Sequence, residues 1–143
     1  MRDIAISCQN IDWRPLLADW AWLVPSDHTP LLIGAFGDWI IGAPDGSHWS
    51  LDALEGQYSW IAGSAAEFNQ AKLDQTNRDR WFTADWVAIA FERGLIPADN
   101  ECLGWKLHPM IGGQFAFENI QIFSLRVYQA LMGQLHRQLR GQV

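Results

Sequence analysis

LLIGAFGDWIIGAPDGSHWSLDALEGQYSWIA, residues 31–62, decides the fold. Residues 31–36 and 39–42 are short apolar runs, bounded by Gly37-Asp38 and by Pro44-Asp45-Gly46. The latter is a turn: proline presets φ, aspartate accepts local hydrogen bonds and glycine supplies a positive φ. Residues 39–42 and 47–51 therefore read as a hairpin. Glu55-Gly56 makes the next turn, and the alternating run at 57–62 is the strand after it. Together they predict an antiparallel meander.

Upstream, residues 1–9 read as an arm or short strand. Asn10 or Asp12 can cap a helix through Val24, on which Trp13, Leu16, Leu17, Trp20, Leu23 and Val24 form one stripe. Pro15 falls in its first turn, where proline costs little. That stripe must be covered, either within the chain or across a homodimer interface. Downstream, Ser64 and Glu67 match a capping box and predict a helix over 65–77. A second helix is expected over 84–93, with Trp86, Ile89 and Ala90 inward, ended by Gly94 and Pro97. Residues 101–108 and 115–123 read as strands joined through Pro109 and Gly112-Gly113. Ser124 caps a last helix with Tyr128, Leu131, Leu135 and Leu139 on one face. Gly133 costs that helix about 1 kcal/mol relative to alanine, which predicts a close backbone approach, with the hairpin of residues 36–56 as the expected neighbour. The fold class is α+β: a meander of about five or six antiparallel strands with about four packed helices. One domain is expected over 1–143, with an arm and helix at 1–29 and the remainder at 30–141.

Composition narrows the function. Hydrophobic residues make up 49% and charged residues 18%, a profile with enough apolar surface for a core. The net charge is −6, unevenly placed: residues 1–101 hold fifteen carboxylates against six Lys/Arg, whereas residues 102–143 hold one against four. Direct binding to nucleic acid is disfavoured, since phosphates need a basic footprint. An acidic surface suits a basic partner. Cys8 and Cys102 have no metal-site or redox spacing and read as reduced thiols of a cytoplasmic protein. No signal peptide is recognisable, and no apolar run approaches the ~18 residues of a membrane span.

His28, His48, His108 and His136 show no metal-ligand spacing, so neither metal nor cofactor is expected. No serine lies in a nucleophile-elbow context and no glycine run opens a helix as a phosphate loop would, so the chain is read as no enzyme. Asp38, Asp45, Asp52 and Glu55 gather in the hairpin region. Acid–base work would need a partner nucleophile that the sequence does not supply. They read instead as a solvated or partner-facing acidic rim, with Trp39 and Trp49 as exposed aromatic anchors. A small-ligand-binding or regulatory sensor domain is the alternative, since nine tryptophans could line an apolar pocket.

A family resemblance rests on an ordered set of pieces: Phe36-Gly37-Asp38-Trp39, Pro44-Asp45-Gly46-Ser47, residues 51–56, Ser64 with Glu67-Phe68, Gly94-Leu95, Gly104-Trp105-Lys106, Gly112-Gly113, Glu118-Asn119-Ile120 and residues 133–138. In these, residues about 30–141 resemble the C-terminal domain of type VI secretion immunity proteins of the DNase-neutralising kind. Relatives commonly carry a GAD-like domain ahead of it, and about thirty residues precede it here. The resemblance implies an immunity protein that binds and neutralises a cognate secreted antibacterial toxin, of nuclease type, in the bacterial cytoplasm. It implies no catalysis, no membrane and no cofactor.

Overall fold

The computed structural model describes residues 2–141. Its main sheet has five strands in sequence order: β1 (Ala5–Ser7), β2 (Thr29–Gly34), β3 (Trp39–Gly42), β4 (His48–Asp52) and β5 (Gln57–Ala62), every neighbouring pair antiparallel. A second, two-stranded antiparallel sheet joins β6 (Glu101–Trp105) to β7 (Ile120–Ser124). The α+β meander thus stands as the sequence predicts, but the last two strands form their own sheet.

Alternation along the strands gives the sheet two buried faces. Ile33, Trp39, Ile41 and Leu51 pack against Leu16, Leu17, Trp20 and Val24 and against Leu125, Tyr128 and Met132 of the last helix, α5 (Leu125–Gly141). Ile40 and Ala62 on the other face meet Phe68 of α2 (Ala65–Ala71) and Trp81 and Phe82 of α3 (Gln75–Phe82). A third cluster ties Ala35 and Phe36 to Val87 and Ala90 of α4 (Ala84–Glu92) and to Leu103 and Trp105 of β6. The N-terminal stripe is therefore covered within this chain.

Three helices depart from expectation. The segment read as one helix to Val24 is a four-residue α1 (Arg14–Leu17) followed by a 3₁₀ turn over Ala18–Trp20. The tightening has a purpose. Residues two apart on an α-helix face different ways, yet the Trp20 and Trp22 rings stack 6.2 Å apart and both indoles donate to α5. The helix expected over 65–77 is two, because Asp74 accepts from Thr76 N and Asn77 N and starts α3, while Asn77 Nδ2 donates to Ala71 O and closes α2. The capping box marks the start as read: Ser64 Oγ accepts from Glu67 N, and Glu67 accepts from Gly63 N. The buried face of α5 is Leu125, Tyr128, Gln129, Met132, Gly133 and His136, whereas Leu131 is 48% exposed. Spacing fits either face of this helix; hydrogen bonds to Gln129 and His136 select the one observed.

A candidate partner-binding site

The loop from β4 to β5 is built by Asp52. Its Oδ1 accepts from Leu54 N (2.8 Å) and Glu55 N (3.3 Å), and Gly56 N donates to Asp52 O (2.7 Å). Gly56 sits at φ 67°, a left-handed conformation open to glycine, with the His136 ring packed on its missing side-chain position. From α5, His136 Nε2 donates to Ala53 O (2.8 Å) and Arg140 Nη2 donates to Gly56 O (2.6 Å). The hairpin block and the C-terminal glutamine–histidine–arginine block thus meet at this loop.

Asp38 fastens the loop from beneath. Its Oδ1 accepts from Ala53 N (2.9 Å) and its Oδ2 from Thr83 Oγ1 (2.6 Å). Thr83, between α3 and α4, is the one non-glycine among the described residues at positive φ (54°), a strained choice for a β-branched residue. Asp38 is 3% exposed. Burial first, and then neighbouring Asp52, pushes its carboxyl well above the ordinary range. Asp52 is raised too, chiefly by burial.

Above Asp38 opens a cavity of about 280 Å³. Asp52, Glu55, Asp79 and Asp85 share its lining with Phe36, Trp86, Trp105, Phe115 and Tyr128. Arg80 is its one basic residue. Among the described residues the one ion pair within 4 Å is His28 with Asp27, so no arginine or lysine is paired with these carboxylates at that distance.

The six residues expected to form an acidic, aromatic rim are divided by the structure. Asp38, Asp52 and Glu55 gather at one end of the β3–β4 hairpin. Asp45 is exposed at the other end, held by Ser47 N and Oγ, which lower its carboxyl. Trp49 is half-buried, donating to Ser47 Oγ and stacked on Tyr58. Trp39 corrects the expectation of an exposed anchor: it is 0% exposed and its indole donates to Gln129 Oε1 (3.0 Å), which makes it core. Asp38 likewise is a floor and not a rim. Sequence reading missed Asp79, Asp85, Trp86, Trp105 and Phe115 as site residues, which reach the cavity from other elements; Trp86 was visible only as an inward helix residue and Trp105 only within the ordered pieces of the family resemblance.

The histidines hold no metal arrangement: no group of three or more potential ligands occurs among the described residues. His108 accepts from Met110 N at Nδ1 and lies edge-on to His136, with ring centroids 5.4 Å apart. Burial, and then His136, pushes His108 down to about 4, and His136 is lowered by burial before any other cause.

The sign of the pH dependence follows. The unfolded chain takes up these two protons first, so the pair's stabilising contribution is complete above about pH 6.5 and is lost toward about pH 4. Asp38 acts oppositely. Its raised carboxyl favours the fold below its ordinary value of 3.8, and that contribution is lost as pH rises through the folded value. Asp38→Asn keeps both hydrogen bonds, accepting from Ala53 N and donating to Thr83 Oγ1. It is expected to raise the urea midpoint at pH 7 and to steepen the loss of stability between pH 6.5 and 4. Midpoints equal to wild type at pH 7, with parallel pH curves, would show that Asp38 ionises in the fold without cost.

A family model described as "T6SS immunity protein Tdi1, C-terminal" matches residues 62–136. That span runs from the end of β5 into α5 and contains Asp79, Asp85, Trp86 and Trp105. Comparison with the curated proteins gives no match. Among solved structures, the crystal structure of Atu4351 from Agrobacterium tumefaciens is similar, with a TM-score of 0.65 and 16% identity. The alignment covers 92% of this chain but 66% of Atu4351. At that identity the likeness is one of fold.

Proposed function

This chain belongs to the C-terminal domain family of the T6SS immunity protein Tdi1, and we propose that it binds a cognate antibacterial toxin of a type VI secretion system and neutralises it by occupying its surface, with no catalytic step. The observation that carries this reading is the concave site beside residues 52–56, where five carboxylates stand without a paired lysine or arginine. A nuclease must present positive charge to its substrate. Such a cleft is complementary to this site, with Asp52 and Glu55 at the contact. Asp45 and Trp49, at the far end of the hairpin, add a second acidic and aromatic surface that extends the footprint. The setting is the cytoplasm of the producing cell, where toxin and immunity protein are made together.

The direct test is co-expression with the product of the adjacent gene in a sensitive host. Protection and a stable complex on size exclusion are expected; if cells die equally with and without this protein, the reading is lost. Charge reversal gives a graded readout. The double variant Glu55→Lys/Asp85→Lys is expected to slow association about tenfold or more at low salt, with the deficit shrinking at high salt. Stopped-flow association rates across a salt series measure it. A rate unchanged at low salt would move the contact elsewhere.

A further inference from the structure

At about 280 Å³, the cavity beside residues 52–56 holds the equivalent of roughly nine waters. That lies just below the ~300–1,000 Å³ usual for cofactors and drug-sized ligands, and suits a single side chain. One wall is aromatic. Trp105 meets Trp86 edge to face at 5.5 Å and Phe115 at 5.4 Å, with Phe115 56% exposed at the mouth. The charged lining is Asp38, Asp52, Glu55, Asp79 and Asp85, five carboxylates against the single cation Arg80. Asp38, on the floor, is nearly sealed from solvent and accepts two hydrogen bonds, neither from a cation. A carboxyl buried beside another, with no cation bonded to it, costs stability when it ionises. An entering cation favours the carboxylate form of Asp38 and is held more strongly in such a partly enclosed cavity than at an open surface.

We propose that this cavity is a socket for one guanidinium side chain carried by the toxin. For the identity of the partner the inference rests on the toxin-binding reading; the chemistry of the socket does not. A guanidinium is flat, weakly hydrated and forked, so it stacks on aromatic faces while donating to carboxylates on its edge. An ammonium is a strongly hydrated point charge that uses the rings less well.

The test uses a probe and not the toxin. Isotope-labelled protein is titrated with N-acetyl-arginine methylamide, its lysine counterpart and its uncharged citrulline counterpart, and the indole N–H signals of Trp86 and Trp105 are followed. Saturable shifts at both signals are expected with the arginine probe, binding at least about tenfold weaker with lysine, and none with citrulline. Asp85→Asn and Trp86→Ala should each weaken the arginine probe about tenfold, while Trp86→Phe, which keeps a ring in place, retains it and guards against a folding defect. Asp27→Asn, at an exposed carboxylate outside the cavity lining, should leave arginine-probe binding unchanged. Equal binding by lysine or citrulline, unsaturable shifts spread over the surface, or an equal loss in Asp27→Asn would each overturn the socket. If wild-type protein binds the toxin and Asp85→Asn and Trp86→Ala bind it equally well, the socket is wrong and the immunity reading stands. If wild-type protein fails to bind the toxin, that reading falls and the titration still decides the socket.

Discussion

Replacing Gln129 by leucine is expected to cost about 3–6 kcal/mol and to leave the chain largely unfolded or without fixed tertiary packing. Gln129 is 0% exposed, yet each end of its amide is used. Its Oε1 accepts from Trp20 Nε1 (2.9 Å) and Trp39 Nε1 (3.0 Å), and its Nε2 donates to Gly37 O (2.9 Å). Three elements, the N-terminal segment, β3 and the β2–β3 turn, are thereby fixed to α5 through one side chain. Leucine has similar bulk and no polar atom, so it strands two buried donors and one acceptor at once. Each stranded group costs about 1–3 kcal/mol, against a total stability of ~5–15 kcal/mol for a domain. Gln129→Glu separates the roles. A carboxylate can still accept from both indoles, but it faces Gly37 O with no donor and brings a charge into the core, so it too should destabilise. Urea unfolding followed by tryptophan fluorescence reads both variants, and a loss below about 1 kcal/mol in Gln129→Leu would show that water or a shift of the indoles replaces the amide.

Gln129 also shows where reading from sequence stops. The meander was legible because its signals are local: Pro44-Asp45-Gly46, Glu55-Gly56 and Ser64 with Glu67 each fix a turn or cap through atoms a few residues apart. Asp52 and Glu55 were legible for the same reason. A polar residue on an amphipathic helix, by contrast, reads as solvent-facing, and the partners of Gln129 lie 90 to 109 residues away along the chain. Asp38 failed similarly. Its carboxylate in a turn beside tryptophan looked like an exposed rim, whereas the Thr83 hydroxyl that receives it is 45 residues on. The cavity needs α3, α4 and the β6–β7 connection to converge on the 52–56 loop, a juxtaposition that no spacing in the chain encodes. What the sequence did carry was the charge imbalance, and this survives in the structure as a carboxylate-lined concavity without ion pairs among the described residues.

Gly133→Ala tests the packing that the odd glycine foretold. Helix propensity alone would make the change stabilising by about 1 kcal/mol. The structure reverses the sign. A Cβ at this position would lie 2.5 Å from Asp19 O and 2.8 Å from Asp19 C, and these are backbone atoms, which cannot rotate aside. The sequence reading placed the hairpin of residues 36–56 against this glycine; the neighbour is instead the 3₁₀ turn over Ala18–Trp20, while the loop of residues 52–56 meets α5 further on, at His136 and Arg140. Relief would require the N-terminal segment to lift. Trp22 Nε1 donates to Gly133 O (3.2 Å) and Trp20 Nε1 to Gln129, so lifting it would break hydrogen bonds as well as contacts. Overpacking of this kind costs ~1–3 kcal/mol or more, and the loosened indole bonds add to it. A net destabilisation of about 2 kcal/mol is expected, with increased amide exchange at residues 14–24 before the central strands are affected. A more stable Gly133→Ala variant would mean that the N-terminal segment moves freely off α5, and the close approach assigned to this glycine would be wrong.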